Sequence, residues 1–158
     1  MTAPLIIIYI TSFSHSGSTL LDLLISSHHA VTSMGEAKVL SRIGSSRRRK
    51  AELPPLEKRR CACGERTPDC PFWTDVDRYL QSHHELELSR LELYHEDAEE
   101  FRRHNQSLFE AVSAVSQCHY LVDLSKDLGR LRRLREAGFD VRPIHLVRSP
   151  HGVVFSQI

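Results

Sequence analysis

The segment that decides the fold is Leu5-Ile-Ile-Ile-Tyr-Ile10, followed by Thr11-Ser-Phe-Ser-His-Ser-Gly-Ser-Thr19 and Leu20-Leu-Asp-Leu-Leu-Ile25. The first run is continuously apolar and rich in β-branched residues, which is typical of a parallel strand covered on both faces. The second run consists mostly of small residues and predicts a loop, and the third has the apolar density of a buried helix. A strand, a Gly/Ser/Thr loop and a helix in this order form the opening unit of a nucleotide-binding α/β fold.

The rest of the chain continues with alternating strands and helices. Apolar runs predict the strands, and apolar residues at helical spacing predict the helices. The predicted strands are 28–33 (a turn and a short strand), 119–123 and 141–147, and the predicted helices are 36–43, one or two within 76–116, 127–137, and one that starts at Ser149-Pro150. We therefore predict an α/β protein with three layers around a central parallel sheet.

Composition and charge limit the partners. The chain has 158 residues, 41% of them hydrophobic and 26% charged, with a formal net charge of +1, so nothing in its overall charge predicts binding to nucleic acid or to an anionic membrane. Its longest apolar run, Leu5 to Ile10, is far shorter than the roughly 20 residues of a membrane span and lacks the flanks of a secretory signal. With only four cysteines, we expect a cytoplasmic protein.

Residues 44–73 differ in composition from the rest of the chain. The stretch contains the basic run Arg47-Arg-Arg-Lys50, and Cys61, Cys63 and Cys70 lie near its end. We interpret it as a basic, cysteine-containing insertion into a single domain that covers residues 1–158. Three thiols are one ligand short of a structural zinc site and their spacing is not that of a CxxC pair, so free thiols, a disulfide and a zinc site all stay open.

Two segments are candidates for anion binding. The loop that ends in Ser16-Gly17-Ser18-Thr19 precedes a predicted helix, whose N-terminal N–H groups and dipole attract a phosphate. The spacing resembles a Walker A loop, but Ser18 stands where that motif requires lysine, which argues against an ATPase or GTPase. The alternative is a tight turn without a ligand. Arg148 is expected at the carboxyl end of another buried strand and offers a rigid fork to a second anionic group, the alternative being a surface salt bridge.

The two segments together resemble motifs of the sulfotransferases that use 3′-phosphoadenosine 5′-phosphosulfate (PAPS). Ser14-His-Ser-Gly-Ser-Thr-Leu20 resembles the 5′-phosphosulfate loop, and Leu146-Val-Arg-Ser-Pro-His-Gly-Val-Val-Phe-Ser156 resembles the 3′-phosphate motif. Met34-Gly-Glu36 and Asp123-Leu-Ser-Lys-Asp127 resemble segments of bacterial members and of the tyrosylprotein branch. Cys61-Ala-Cys-Gly64 with Cys70-Pro-Phe-Trp73 is similar to an insertion in some bacterial relatives.

The resemblance implies a P-loop-like nucleotide-binding fold and a set of cofactor-binding residues. Arg148 and Ser156 would hold the 3′-phosphate of PAPS, and 3′,5′-adenosine bisphosphate would be the product. The residues that would hold the 5′-phosphosulfate are Ser14, His15, Ser16, Gly17, Ser18, Thr19 and Leu20.

It also implies three catalytic residues. Glu36 would be the base that takes the proton of the acceptor hydroxyl, and Lys126 would stabilise charge in the transition state. His15 stands where the family has lysine or arginine and would act as a cation only when protonated. No metal is required, because positioning and electrostatics do most of the work of sulfuryl transfer. The alternative for Glu36 is a structural glutamate favoured by a helix dipole, and the alternative for Lys126 is a solvated lysine in a turn.

The expected function is therefore transfer of a sulfuryl group from PAPS to a hydroxyl or amine of a small molecule, carbohydrate, lipid or peptide. One alternative is a kinase or NTPase with a degenerate P-loop, for which Asp123 is the only strand-end carboxylate available to Mg²⁺. Another is a non-catalytic, anion-binding fragment. Because three parallel strands are few for this architecture and family members continue beyond the 3′-phosphate motif, we expect a sulfotransferase truncated at its C-terminus.

Overall fold

The computed structural model describes residues 4–40, 60–149 and 151–152. The chain divides into two compact units, a sheet unit of Met1–Glu36 with Cys118–Ile158 and a helical unit of Ala37–Gln117. The elements in chain order are β1 (Ile6–Ser12), α1 (Ser18–Ser26), β2 (Val31–Ser33), α2 (Pro71–His84), α3 (Ala98–Ser116), β3 (Tyr120–Asp123), α4 (Leu128–Glu136) and β4 (Asp140–Leu146), with 3-10 helices at Ala37–Leu40, Thr67–Asp69 and Leu88–Arg90.

Within the described residues the sheet unit contains one four-stranded sheet in the order β2-β3-β1-β4, and every pair of neighbouring strands is parallel. The β-branched run forms β1 in the interior of this sheet, where Ile7, Tyr9 and Ile10 are fully buried. Since Ile7 and Ile10 point to opposite faces, β1 is covered on both sides, as its lack of alternation indicates. The prediction of an α/β protein with a central parallel sheet is confirmed.

Two details of the predicted sheet were wrong. The sheet has four strands instead of three, because the short strand predicted within 28–33 is Val31–Ser33 and joins the sheet by pairing with β3. The expectation that Arg148 follows a buried strand was also wrong: β4 is an edge strand of the described sheet and is largely exposed. Pro143, which has no N–H to donate, lies in β4 as edge strands permit.

The helical unit is built on α2 and α3. The amphipathic pattern predicted one or two helices, and the structure has two, separated by the 3-10 helix at Leu88–Arg90. The buried face of α3 includes Phe101, Leu108 and Val112, and Asp97 caps the helix by accepting from two backbone N–H groups of its first turn. Of the predicted insertion, residues 44–59 lie outside the described residues, and residues 60–73 belong to this unit.

No helix in the described part of the chain is long and apolar enough to cross a membrane.

Candidate functional site

The four parallel strands of the sheet unit all end at the same edge, and each is followed by a predicted site residue. Glu36 follows β2, Lys126 follows β3, the loop of residues 13–17 follows β1, and Arg148 follows β4. The strand order therefore arranges them in a row across the carboxyl edge of the sheet. This edge is where open α/β sheets bind their ligands.

The loop after β1 has an unusual backbone. His15 has φ +62 and Gly17 has φ +87, so two left-handed residues flank Ser16. The Ser16 hydroxyl is buried and donates to the Phe13 carbonyl at 2.6 Å, which closes the turn. A left-handed residue that is not glycine is uncommon and is held by its surroundings. The exposed side chains of the predicted anion loop are those of Ser14, His15, Thr19 and Leu20, whereas Ser16 and Ser18 are buried.

Helix α1 begins in a way that leaves its N-terminal N–H groups available. Its N-cap residue is Gly17, which has no side chain to accept their hydrogen bonds, and its first turn carries no acidic residue. In contrast, α3 and α4 are capped by the carboxylates of Asp97 and Asp127. The uncapped N–H groups and the helix dipole make the start of α1 suited to an anion.

Arg148 lies beside this loop. Its Nη1 donates to the His15 carbonyl at 2.9 Å. The pairing of β1 with β4, which runs as far as Ser12 with Leu146, brings the two segments together. The Ser12 hydroxyl at the end of β1 is buried and has no hydrogen-bond partner among the described residues. Ser156, the other residue of the predicted 3′-phosphate motif, lies outside the described residues.

Glu36 and Lys126 form an ion pair, with Nζ and Oε1 3.2 Å apart and both side chains partly buried. Their backbones are held together, because the Met34 N–H donates to the Val122 carbonyl at 2.9 Å and the Leu124 N–H donates to the Gly35 carbonyl at 2.8 Å. These bonds continue the β2–β3 pairing beyond the ends of both strands. The structure thus brings together two predicted catalytic residues that are 90 positions apart in the chain.

Tyr9 is a residue of this site that the sequence analysis missed. It is fully buried on β1, its hydroxyl donates to the Asp127 carbonyl at 2.8 Å, and it accepts from the Asp127 N–H at 3.1 Å. The residue that precedes Asp127 is Lys126, which has φ +61. Tyr9 therefore fixes the backbone from which the lysine side chain extends. A tyrosine within an otherwise aliphatic run was the available signal.

A buried carboxyl was missed as well. Asp22 on α1 accepts from the Ser33 hydroxyl at 2.9 Å, and the Gly35 N–H donates to the same hydroxyl at 2.9 Å. Burial raises the pKa of Asp22 above its ordinary value, and its hydrogen bonds from Ser33 and Ser26 offset part of this effect. The network ties α1 to the segment that carries Glu36. The feature of the sequence that could have indicated this role is a single aspartate among the leucines of α1.

Asp123, the strand-end carboxylate considered for Mg²⁺, is fully buried. Both of its oxygens are engaged, one by the N–H and hydroxyl of Ser125 and the other by Nε of Arg130 at 3.0 Å. Arg130 is itself 1% exposed. Breaking a buried ion pair of this kind costs free energy. The Asp123 carboxylate therefore stabilises the turn between β3 and α4.

A second group of reactive side chains lies in the helical unit. The sulfur atoms of Cys61, Cys63 and Cys70 all lie within 4.8 Å of one another. A hydrogen bond from the Glu65 N–H holds the pKa of Cys63 below its ordinary value, whereas burial raises the pKa of Cys61. The residues are thus able to hold a metal ion, and the expectation that the protein needs no metal has no support from this region.

No family model, no curated protein and no solved structure matches the chain.

Proposed function

We propose that this chain binds PAPS at the carboxyl edge of its sheet and transfers the sulfuryl group to a hydroxyl or amine. The observation that carries the proposal is the row formed by Glu36, Lys126, the start of α1 and Arg148, each at the end of a different parallel strand. A donor with two separate anionic groups and an acceptor that must lose a proton together require such a set of residues.

The nucleotide half of the row consists of the start of α1 and Arg148. The uncapped N–H groups of α1 suit the 5′-phosphosulfate, and the Arg148 guanidinium suits the 3′-phosphate. Neighbouring strands lie about 4.8 Å apart, so groups on β1 and β4 can reach two phosphates on one ribose. The hydrogen bond from Arg148 to the His15 carbonyl holds the guanidinium beside the loop.

The transfer half of the row consists of Lys126 and Glu36. Because β3 lies next to β1, Lys126, which follows β3, is one strand away from the proposed sulfuryl group, and Glu36, which follows β2, is two strands away. The acceptor oxygen forms the new S–O bond as the bond between sulfur and the bridging phosphate oxygen breaks. The acceptor proton passes to the Glu36 carboxylate, and Lys126 offsets the negative charge that develops on the leaving phosphate.

A phosphotransferase or NTPase is the competing class. With a P-loop, such an enzyme uses a lysine in the phosphate loop and a carboxylate for Mg²⁺. Ser18 stands in place of that lysine, and both oxygens of Asp123 are used by Ser125 and Arg130. These observations favour a donor that needs no Mg²⁺.

Calorimetric titration of the full chain with 3′,5′-adenosine bisphosphate, and separately with ATP plus Mg²⁺, tests the proposal. We expect saturable binding of the bisphosphate and none of ATP-Mg²⁺. Arg148→Ala should weaken bisphosphate binding by roughly 10- to 100-fold, since charge-assisted hydrogen bonds contribute about 1.5–3 kcal/mol. Arg142→Ala is the matched control, because Arg142 is exposed on β4 and pairs with Asp140.

Binding of ATP-Mg²⁺ without binding of the bisphosphate would replace the proposal with the phosphotransferase class. If inorganic sulfate or phosphate bound as tightly as the bisphosphate, the site would be a simple anion site. Equal bisphosphate affinities of the Arg148→Ala and Arg142→Ala variants would remove Arg148 from the 3′-phosphate site.

A further inference from the structure

Three thiol groups converge at one end of α2. Cys61 and Cys63 lie in a hairpin, Cys70 directly precedes α2, and the sulfur atoms of Cys63 and Cys70 are 3.6 Å apart. All three are free thiols. Soft thiolate ligands select zinc and similar cations and are poor ligands for Mg²⁺ or Ca²⁺.

The hairpin positions two of the thiols through its backbone. Arg60 and Arg66 form an antiparallel bridge at its base, and the Cys61 N–H donates to the Glu65 carbonyl at 2.8 Å. The Gly64 N–H donates to the Cys61 carbonyl at 2.9 Å. Gly64 has φ +93, a left-handed conformation that glycine adopts without steric cost. The tight turn therefore places both cysteine side chains within one short loop.

The third thiol is tied to the same hairpin. The Cys70 N–H donates to the Arg66 carbonyl at 3.0 Å, and the Cys70 carbonyl accepts from the Thr74 N–H at 2.9 Å. The base of the hairpin and the first turn of α2 are thus joined through the backbone of Cys70. The Cys70 side chain is buried, whereas that of Cys63 is exposed, so the group of thiols has a buried side and an open side.

The separations of the sulfur atoms suit zinc. A tetrahedral site with Zn–S bonds of about 2.3 Å places its sulfur atoms about 3.8 Å apart. The separation of 3.6 Å between Cys63 and Cys70 is close to this value, and the upper limit of 4.8 Å for the whole group requires only small side-chain adjustments.

Polar groups surround the thiols. The Glu65 N–H lies next to the sulfur of Cys63, and the Cys63 N–H lies next to the sulfur of Cys61. Arg60 Nη1 donates to the Gly64 carbonyl at 2.7 Å, which holds a guanidinium against the turn. Three thiolates and Zn²⁺ together carry one net negative charge, and Arg60 places one positive charge on the same turn. Hydrogen bonds to the ligand atoms are a regular part of metal sites.

We propose that Cys61, Cys63 and Cys70 bind one Zn²⁺ as thiolates, with a water molecule in the fourth tetrahedral position. Binding exchanges three thiol protons, released to solvent, for three Zn–S bonds. The fourth position is assigned to water because the group is open to solvent at Cys63. The ion links the hairpin to the first turn of α2 and stabilises the helical unit.

Titration of the metal-free, reduced full chain with Co²⁺ and then with Zn²⁺ tests this proposal. Co²⁺ should bind in one equivalent with a thiolate charge-transfer band and the intense ligand-field bands of a tetrahedral ion, and Zn²⁺ should displace it. Cys63→Ser, at an exposed position, should weaken Co²⁺ binding by more than about 100-fold, the upper end of the effect of losing an outer partner of a ligand. Zn²⁺ should raise the Tm of the wild type and not of this variant.

Cys118→Ser is the matched control, because Cys118 is a buried thiol of the sheet unit whose sulfur contacts the His29 carbonyl at 3.5 Å. This variant should bind Co²⁺ as the wild type does. A wild-type chain without the charge-transfer band, or a Cys63→Ser chain that keeps it, would overturn the proposal. Co²⁺ spectra of octahedral nitrogen or oxygen coordination would do the same.

Discussion

The guanidinium of Arg148 donates to the backbone carbonyl of His15 at 2.9 Å, across 133 positions of the chain. This bond joins the loop after β1 to the segment after β4. It uses one of the five N–H donors of the arginine and sets the direction of the others. The start of α1 and the cation at the end of β4 are therefore held side by side, as the proposed binding of one ligand requires.

Gly152→Ala should weaken bisphosphate binding without lowering stability. A Cβ atom at Gly152 would lie 2.7 Å from Nε of Arg148, so the guanidinium must move. This movement costs little free energy, because the displaced atoms belong to the end of a flexible side chain. We expect about tenfold weaker binding in calorimetry and an unchanged Tm. His151→Ala, at the exposed neighbouring residue, is the control, and equal affinities of the two variants would contradict the placement of Arg148.

Glu36→Gln should abolish sulfuryl transfer and leave nucleotide binding intact. Removing a general base lowers the rate by about 10²- to 10⁴-fold, whereas the nucleotide half of the row does not include Glu36. The measurement is release of 3′,5′-adenosine bisphosphate from PAPS in the presence of a panel of phenol, sugar and amine acceptors. Glu136→Gln, at an exposed residue of α4 paired with Arg132, is the control. Transfer at the wild-type rate in Glu36→Gln would exclude this base.

Tyr9→Phe should destabilise the fold and slow transfer. Loss of the hydroxyl leaves the N–H and carbonyl of Asp127 without their bonds to Tyr9, a cost of about 1–3 kcal/mol in urea unfolding. The left-handed backbone of Lys126 is then less restrained, so transfer should slow while bisphosphate affinity stays the same. Tyr120→Phe, at a residue 41% exposed, should change neither. A Tyr9→Phe variant with wild-type stability would show that the two hydrogen bonds between Tyr9 and Asp127 do not restrain this backbone.

Asp22→Asn should gain stability relative to the wild type as the pH rises. Burial raises the pKa of Asp22 above 3.8, so the folded chain holds this proton more tightly than the unfolded chain does. The wild type therefore loses stability as the pH rises through the folded-state pKa, because a buried charge forms. The asparagine variant does not undergo this loss.

Urea unfolding at intervals between about pH 4 and pH 7 measures this difference. Asp140→Asn, at an exposed carboxyl at the start of β4, controls for the change in net charge. A difference in stability between Asp22→Asn and the wild type that is constant across this range would show that burial does not perturb the carboxyl.

Much of the sheet unit was predictable, because its elements have strong local patterns. The β-branched run of β1 and the small-residue loop before α1 predicted a strand and a helix that the structure contains. The burial of β4 was predicted wrongly, since its Arg142 and His145 alternate with apolar residues as an edge strand allows. The pairing of β2 with β3 depends on tertiary contacts, and a strand of three residues has too short a sequence pattern to predict them.

The candidate site was predictable only as separate residues. Resemblance to known motifs singled out Glu36, Lys126 and Arg148, but gave no distance between them. Tyr9 was missed because it belongs to an apolar run, where an aromatic residue is usually a core residue. Its role depends on its hydrogen bonds to Asp127, which lies more than 100 residues later in the chain and is brought beside β1 by the fold.

The sequence by itself determined that this protein has a parallel α/β sheet and a small-residue loop before a helix, because β-branched runs and Gly/Ser/Thr loops act through local backbone preferences. Only the tertiary structure decided the strand order, and with it the row of Glu36, Lys126, the start of α1 and Arg148. It also brought three thiols to within 4.8 Å. The row depends on hydrogen bonds between backbone segments far apart in the chain, which local preferences do not specify. The group of thiols depends on the hydrogen bonds of one hairpin, which the spacing of the cysteines does not reveal.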